Sequence, residues 1–179
     1  MNFAVIDFET GSRKQESAIA VGLVKYAGGE PAGSYYSLIR PPELYVWRFF
    51  TEMVHGLTVD DVKDAPMFSE IWPEVRDFAG GLPIAAHNVR FDKSVLTATL
   101  AHYSINAPEW RWFDSVTIAR KTWPRLANHR LTTLGEHLGI KYKAHHALED
   151  CETCGKVILN AAKKLKVNTL QDLLAKTGA

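Results

Sequence analysis

The apolar positions near the start of the chain predict three strands. Short apolar runs, which are typical of buried strands, cover residues 3–9, 18–26 and 34–39. Gly28 and Gly29 lie between the second and the third run, where a tight turn favours such residues. The first part of the chain is therefore expected to form an antiparallel meander.

The rest of the chain predicts helices that alternate with strands. Residues 69–79 form an amphipathic stretch that predicts a helix. The apolar runs 83–87 and 111–113 predict two further strands, each followed by a helix. A last amphipathic segment, 169–176, is expected to dock as a short helix on the same domain. These elements predict an α/β fold with a mixed sheet of about five strands and helices on both faces.

Length and composition favour a single domain. The chain has 179 residues, of which 46% are hydrophobic, and this is enough for one packed core. We expect the domain to span 1–166 and the segment 167–179 to be its C-terminal helix. No apolar stretch approaches the roughly eighteen residues of a membrane span, and no secretory leader precedes the first strand. A cytoplasmic protein without a membrane segment is therefore expected.

Charge is distributed unevenly along the chain. The net charge is only +1, but residues 111–166 hold eleven Lys/Arg and five Asp/Glu, which gives +6 there and −5 elsewhere. The basic residues nearest the last acidic motif are Arg120, Lys121, Arg125, Arg130, Lys141 and Lys143. This segment either attracts a phosphate backbone or forms an ordinary solvated helical surface.

The first motif with chemical potential is DFETG at residues 7–11. Residues two apart on a strand point to the same face, so Asp7 and Glu9 are expected side by side, with Ile6 and Phe8 packed on the other face. Two adjacent carboxylates repel and raise each other's pKa. A divalent cation between them removes that cost.

Two later motifs contribute further acids. In HNVRFD (87–92), Asn88 is expected to cap a helix that places Asp92 on its first turn. In HHALED (145–150), His145 is expected on a loop and Asp150 inside the helix that follows.

Four carboxylates and a histidine in this order predict a two-metal site that breaks phosphodiester bonds. Such a reaction needs cations on the attacking and leaving oxygens, and carboxylates bind these cations. A histidine titrates near neutral pH and can take the proton of the attacking water. Each motif alone also fits a structural role, such as a solvated strand end or a helix cap, but their conjunction favours catalysis.

On these motifs the chain resembles the DnaQ-like 3′–5′ exonucleases of the DEDDh type, which include proofreading subunits of bacterial DNA polymerases. The resemblance covers 3–159 and implies a ribonuclease-H-like fold, an exonuclease domain and two Mg²⁺ or Mn²⁺ ions. The implied acidic catalytic residues and metal ligands are Asp7, Glu9, Asp92 and Asp150. The implied general base is His145, because His146 falls one place late for the family spacing.

The resemblance also implies a nucleic-acid substrate with a free 3′ end. The implied substrate contacts are Thr10, Gly11, His55, Asn88 and Phe91. DNA is favoured as the substrate, with release of 5′-mononucleotides. An exoribonuclease, oligoribonuclease-like or RNA-trimming, is the alternative. The catalytic motifs do not separate DNA from RNA, because that choice depends on contacts to the 2′ position. A DNA polymerase or a sliding clamp is a candidate partner, and a non-catalytic binding or polymerase-tethering module is the weakest interpretation.

Two further features concern packing. An aromatic cluster precedes His55 and consists of Tyr45, Trp47, Phe49 and Phe50. A core role is favoured for it over base stacking. Cys151 and Cys154 form a C-x-x-C pair that is expected to be two buried thiols on one helix face, because no second pair completes a zinc site.

Overall fold

Five strands form one mixed sheet. In the computed structural model, which describes residues 1–179, they are β1 (Phe3–Thr10), β2 (Ala18–Ala27), β3 (Glu30–Leu38), β4 (Ile84–Ala86) and β5 (Trp112–Asp114). Their order is β3-β2-β1-β4-β5. The pairs β1–β2 and β2–β3 are antiparallel, and the pairs β1–β4 and β4–β5 are parallel. The predicted mixed five-stranded sheet is confirmed.

The first three strands form the predicted meander. Gly28 and Gly29 join β2 to β3 with φ angles of 62° and 90°, in the left-handed region that favours glycine. β3 begins at Glu30 rather than at residue 34. Its first residues are exposed and mostly not apolar, so they show no apolar run from which an earlier start could be predicted.

The chain forms eight helices, and six of them cover the two faces of the sheet. The eight helices are α1 (Arg48–Met53), α2 (Val59–Val62), α3 (Phe68–Ala79), α4 (Val89–His102), α5 (Ser115–Thr122), α6 (Leu131–Leu138), α7 (Ala147–Leu165) and α8 (Leu170–Thr177). Apolar residues of α3 and α4 build the core on one face, and those of α5, α6, α7 and α8 build the core on the other. Helices α1, α2 and α6 were not predicted, because segments of four to eight residues hardly show a helical period.

β1 divides its side chains between these two cores. Ile6 and Phe8 belong to the core with α3 and α4, and Phe3 and Val5 belong to the core with α7. Asp7 and Glu9 continue the second series, so both carboxylates point towards the α7 side. The side-chain alternation predicted for this strand is confirmed.

The first turn of α7 packs directly on the sheet beside Asp7. Gly22 of β2 is the register partner of Asp7. A Cβ on Gly22 would lie 2.5 Å from the carbonyl carbon of Ala147, the first residue of α7. Glycine permits this approach, which brings Asp150 over the end of β1.

The C-terminal helix and the thiols belong to the same core. Leu173 of α8 is fully buried there, and Thr169 caps the helix by accepting the N–H of Asp172 at 3.1 Å. Cys151 and Cys154 are both buried and free, as predicted. None of the helices combines the length and the apolar character that crossing a membrane requires.

Candidate active site

Two carboxylates lie near the end of β1. Asp7 is half-buried, and Glu9 is 8% exposed. Burial raises the pKa of Asp7 well above its ordinary value, and the charges of Asp92, Glu9 and Asp150 raise it further. Burial, followed by the charge of Asp150, raises the pKa of Glu9 to about 8. The pKa of Asp7 is therefore raised by the charges of all three other acids.

A hydrogen bond ties Asp92 to β1. Asp92 lies in the first turn of α4 and is 1% exposed. Its Oδ1 accepts the Phe8 N–H at 3.0 Å. Burial raises the pKa of Asp92, and this hydrogen bond opposes the shift because it favours the carboxylate form. The bond fixes the second motif against the first.

Asp150 completes the acidic group from the first turn of α7. It is 8% exposed. Burial raises its pKa to about 6, while the backbone amides of His145 and His146 favour the charged form and limit the rise.

His145 lies close to two of these carboxylates. Its φ of 62° is left-handed, which is uncommon for a residue other than glycine. A ring nitrogen of His145 lies within 4.8 Å of carboxylate oxygens of Glu9 and Asp150, and the side chain is exposed to solvent. His146 instead stacks on Tyr36, with 5.0 Å between ring centroids. The two neighbouring histidines therefore have different environments.

The four acids have the character of a divalent-cation site. None of them pairs with a Lys or Arg side chain, although grouping buried carboxylates is unfavourable without positive charge. Hard divalent cations prefer oxygen ligands, which this set supplies. The hydroxyl of Tyr142 is buried without a hydrogen-bond partner, and Tyr142 lines the same cleft. These residues fit bound Mg²⁺ or Mn²⁺.

Three of the four acids open into a cleft of about 740 Å³, a volume typical of small-molecule sites. The predicted site residues that line it are Asp7, Glu9, Thr10, Asn88, Phe91, His145 and Asp150. Asp92, Gly11 and His55 are not in the lining. Most of the predicted residues thus line one cleft. The other three adjoin lining residues: Asp92 is bonded to Phe8, His55 is bonded to Thr10, and Gly11 follows Thr10 in the chain.

Gly11 and His55 support the backbone around the cleft. A Cβ on Gly11 would lie 2.8 Å from the carbonyl oxygen of Tyr45, so the close approach that this glycine permits is to the chain itself. Nδ1 of His55 accepts the Leu57 N–H at 3.0 Å, so Nε2 donates to the Thr10 carbonyl oxygen at 3.2 Å. Burial lowers the pKa of His55. A substrate contact by His55 stays a prediction.

Asn88 precedes α4 as predicted, but its side chain makes no capping hydrogen bond. Its backbone has a left-handed φ of 75°, a conformation that asparagine tolerates. Its N–H donates to Oδ1 of Asp114 at 3.1 Å, and the same oxygen accepts the Val116 N–H at 2.9 Å. Asn88 therefore occupies the predicted N-cap position, but the end of β5 rather than its own side chain holds this turn, and Asn88 lines the cleft.

The aromatic cluster is not part of a core. Tyr45 and Phe49 are 53% and 54% exposed, and Trp47 and Phe50 are half-buried. The buried residue of this segment is Val46, which packs in a small hydrophobic cluster separate from the two main cores. The predicted core role is wrong, because one inward-pointing valine is enough to anchor the segment.

Several residues of the cleft were not predicted as site residues. Arg13, His87, Arg130 and Tyr142 also line it. Of the six basic residues named from the sequence, Arg130 is the one in the lining, and none of the six forms an ion pair. Nε2 of His87 lies 2.9 Å from the carbonyl oxygen of His129, which positions the backbone just before Arg130. Only the charge pattern pointed to this part of the cleft.

Comparison with known sequences agrees with this geometry. The model of the RNase T family, described as exonuclease, matches residues 4–158. The PolC-type DNA polymerase III of Caldanaerobacter subterraneus subsp. tengcongensis is 28% identical over 167 residues, which are 92% of this chain and 12% of that protein. The 3′–5′ exonuclease DinG of Staphylococcus saprophyticus subsp. saprophyticus is 26% identical over 182 residues, 96% of this chain and 19% of that protein. The chain thus spans less than a fifth of these relatives.

Solved structures share the fold. Exonuclease X in complex with 5′ overhanging duplex DNA superimposes with a TM-score of 0.77 at 21% identity, and the match covers 98% of this chain and 99% of that chain. The nuclease domain of 3′hExo, a DEDDh family member bound to rAMP, superimposes with a TM-score of 0.78 at 17% identity, over 90% and 92% of the two chains.

Proposed function

The chain belongs to the RNase T family of exonucleases, and on this premise we propose that it is a metal-dependent 3′–5′ exonuclease that releases 5′-mononucleotides from DNA. The family match confirms the DnaQ-like resemblance carried by the three motifs. The observation that carries the proposal is the convergence of Asp7, Glu9, Asp92 and Asp150 from three distant segments. Buried acids without basic partners destabilise the fold when they ionise, so they favour a role in binding cations.

Each site residue has a proposed role in the reaction. His145 takes the proton of the attacking water, because its ring is exposed and lies beside Glu9 and Asp150. Two Mg²⁺ or Mn²⁺ ions would be held by the four acids, among which Asp7 interacts with all three others. When bound, these ions supply Lewis-acid stabilisation of the charge on the phosphate and on the leaving oxygen.

The other predicted residues are proposed to hold the 3′-terminal nucleotide. Phe91 is 37% exposed in the lining of the cleft, so its ring is available to a base. Thr10 and Asn88 offer polar groups in the same lining. Gly11 and His55 are proposed to fix the position of the backbone at Thr10 and its neighbours.

DNA is the proposed substrate because the PolC-type relatives are named DNA polymerases and Exonuclease X is bound to duplex DNA. RNA is the second candidate, since the 3′hExo nuclease domain is bound to rAMP. The PolC-type relatives also support a DNA polymerase as the proposed partner, whereas the sliding clamp has no comparable support.

The test is digestion of DNA and RNA strands of one sequence, labelled at the 5′ end, by the purified chain. With Mg²⁺ or Mn²⁺ we expect progressive shortening and free 5′-mononucleotides, faster from DNA than from RNA. Excess EDTA should stop both reactions, and Asp7→Asn controls for contaminating nucleases. Activity that persists in EDTA contradicts the metal requirement. If RNA is digested faster than DNA, RNA replaces DNA as the proposed substrate.

A further inference from the structure

An exposed aromatic wall borders the cleft. The aromatic wall is the group Tyr45, Trp47, Phe49 and Phe50. Helix α1, which carries the two phenylalanines, has no buried residue. Leu44 and Met53, close by in the sequence, are also exposed, by 51% and 69%. Clustered exposed apolar side chains of this kind mark an interaction site.

Three of the four rings of the aromatic wall form an ordered group. Centroid distances are 6.1 Å for Trp47–Phe49, 5.8 Å for Trp47–Phe50 and 5.8 Å for Phe49–Phe50. Phe50 also stacks on His55 at 6.1 Å, with 2° between the ring planes. Because the rings already hold each other in place, a ligand that binds them loses less free energy to side-chain ordering.

The backbone of the aromatic wall is fastened to the end of the strand that carries Asp7 and Glu9. The Trp47 N–H donates to the Gly11 carbonyl oxygen at 2.7 Å. The carbonyl oxygen of Tyr45 lies 2.8 Å from the place where Gly11 would carry a Cβ. The rings therefore have a fixed position relative to the acids.

The aromatic wall is continuous with the cleft. Phe50 lines the cleft together with Asp7 and Glu9. Arg13 lines it as well, and its guanidinium carbon lies 5.0 Å from the Trp47 ring centroid. Arg13 forms no ion pair within the chain, so its N–H groups are available to a phosphate while its plane covers the indole.

We propose that the aromatic wall binds the unpaired nucleotides next to the 3′-terminal one, with bases stacked on its rings and a phosphate held by Arg13. This rests on the proposed function, because the 3′ end must lie at the acids. Bases in a duplex cover each other's faces, so the aromatic wall makes an unpaired 3′ end the preferred substrate. Rings stack on every base, so no sequence preference is expected.

Nucleic acid fits the aromatic wall better than a protein partner does. A protein that covered these rings would need neither a free guanidinium beside them nor continuity with the acids. A strand whose 3′ end reaches Asp7 needs a path out of the cleft, and Phe50 lies on one side of it. A protein partner is therefore an outcome of the test rather than the expectation.

The test is a thermodynamic cycle in which one residue of the protein and the bases of the DNA strand are changed separately and together. Fluorescence anisotropy with Asp7→Asn protein, which prevents digestion, compares an oligothymidylate with the same strand made abasic at the second and third positions from its 3′ end. Loss of each stacked base is expected to lower affinity by roughly 5- to 150-fold. Adding Phe49→Ala should weaken binding of the intact strand similarly and leave binding of the abasic strand unchanged.

Two further variants control for folding and for the nature of the contact. Phe49 is 54% exposed, so its truncation should not unfold the chain, and Phe49→Trp should restore binding. Phe78→Ala removes a half-buried ring that is outside the cleft and should leave both affinities unchanged.

The outcomes separate this inference from the proposed function. If Phe49→Ala lowers the affinity for both strands equally, the aromatic wall does not stack bases. If it lowers the affinity for neither strand, the aromatic wall does not stack bases either, and a protein partner becomes the preferred ligand. Hydrolysis of thymidine 5′-(p-nitrophenyl phosphate) by the wild-type chain tests the acids with a single nucleotide. Failure with both this ester and oligonucleotides contradicts the proposed function, whatever the binding cycle shows.

Discussion

Two regions of one cleft have opposite physical character. The acidic floor, formed by Asp7, Glu9, Asp92 and Asp150, consists of charges in largely buried positions. The aromatic wall consists of apolar rings that are partly exposed to water. Burying charge and exposing apolar surface both lower stability. In the proposed complex both costs would be relieved, because divalent cations would supply positive charge to the floor and the nucleic acid would supply base faces to the wall.

The two regions also differ in how they are built. The acidic floor draws on β1, α4 and α7, which are distant in sequence and meet through the fold. The aromatic wall comes from one continuous segment, 45–50, attached through Val46 and Gly11. Changes in the acidic floor should therefore affect every substrate, and changes in the aromatic wall only substrates with unpaired neighbouring nucleotides.

The largest effect is expected from Asp7→Asn. Asp7 interacts with the three other acids, so its loss should disrupt the binding of cations as a whole. We expect hydrolysis of the nucleotide ester and of oligonucleotides to fall together by roughly a thousandfold or more, since the cations contribute several kcal/mol. Steady-state rates with both substrates check this. A loss confined to oligonucleotides would contradict the division between floor and wall.

His145→Ala is expected to have the next largest effect. Removing a general base lowers turnover by roughly 10²- to 10⁴-fold. The fall should appear in kcat with little change in oligonucleotide affinity, because the ring lies beside the acids rather than in the aromatic wall. His146→Ala is the matched control, since that ring packs on Tyr36. Equal losses in the two variants would remove the assignment of the base.

The sequence was sufficient to predict the acidic floor because local periods place each acid. The strand period put Asp7 and Glu9 on one face, and the helix predictions placed Asp92 on a first turn and Asp150 inside a helix. What brings these elements together is long-range. The Phe8 N–H bond to Asp92 spans 84 residues, and the approach of Ala147 to Gly22 has no local signal.

The aromatic wall was mispredicted because composition does not determine which side chain points inward. Four aromatic residues favour a core, but Phe49 and Phe50 lie on α1, which has no buried residue, and Val46 anchors the segment instead. The N-cap position of Asn88 was predicted, but the lack of a side-chain capping hydrogen bond was not, for a similar reason. Its backbone conformation depends on Asp114, a residue of a neighbouring strand that the local sequence does not identify.

A smaller effect is expected at the basic side of the cleft. Arg130→Gln should weaken oligonucleotide binding a few-fold and reduce the slope of log affinity against log salt by about 0.7, the value for one phosphate contact on a single strand. Arg125→Gln is the matched control, because Arg125 is exposed and lies in another groove, beside Trp123. Equal slope changes would mean that the basic segment acts through its general field and not through contact.

The smallest expected effect is a change in the folding stability of the chain, caused by the acidic floor when no cations are bound. The pKa of Glu9 is raised from 4.5 to about 8 in the folded chain. Below pH 4.5 the acid is protonated in both the folded and the unfolded state, so it carries no penalty. Between pH 4.5 and about 8 the unfolded chain ionises first, and stability is lost across this window.

Glu9→Gln should therefore raise the melting temperature at pH 8 by a few degrees, since about 1 kcal/mol shifts the Tm of a domain of this size by about 2–4 °C. The gain should vanish at pH 4 and shrink in saturating Mg²⁺, which binds the wild-type acid more tightly. Thermal unfolding at the two pH values, with the exposed Glu30→Gln as control, measures it. A gain in melting temperature that did not depend on pH would mean that Glu9 affects stability through packing. The loss of stability ascribed to its buried charge would then be wrong for this residue.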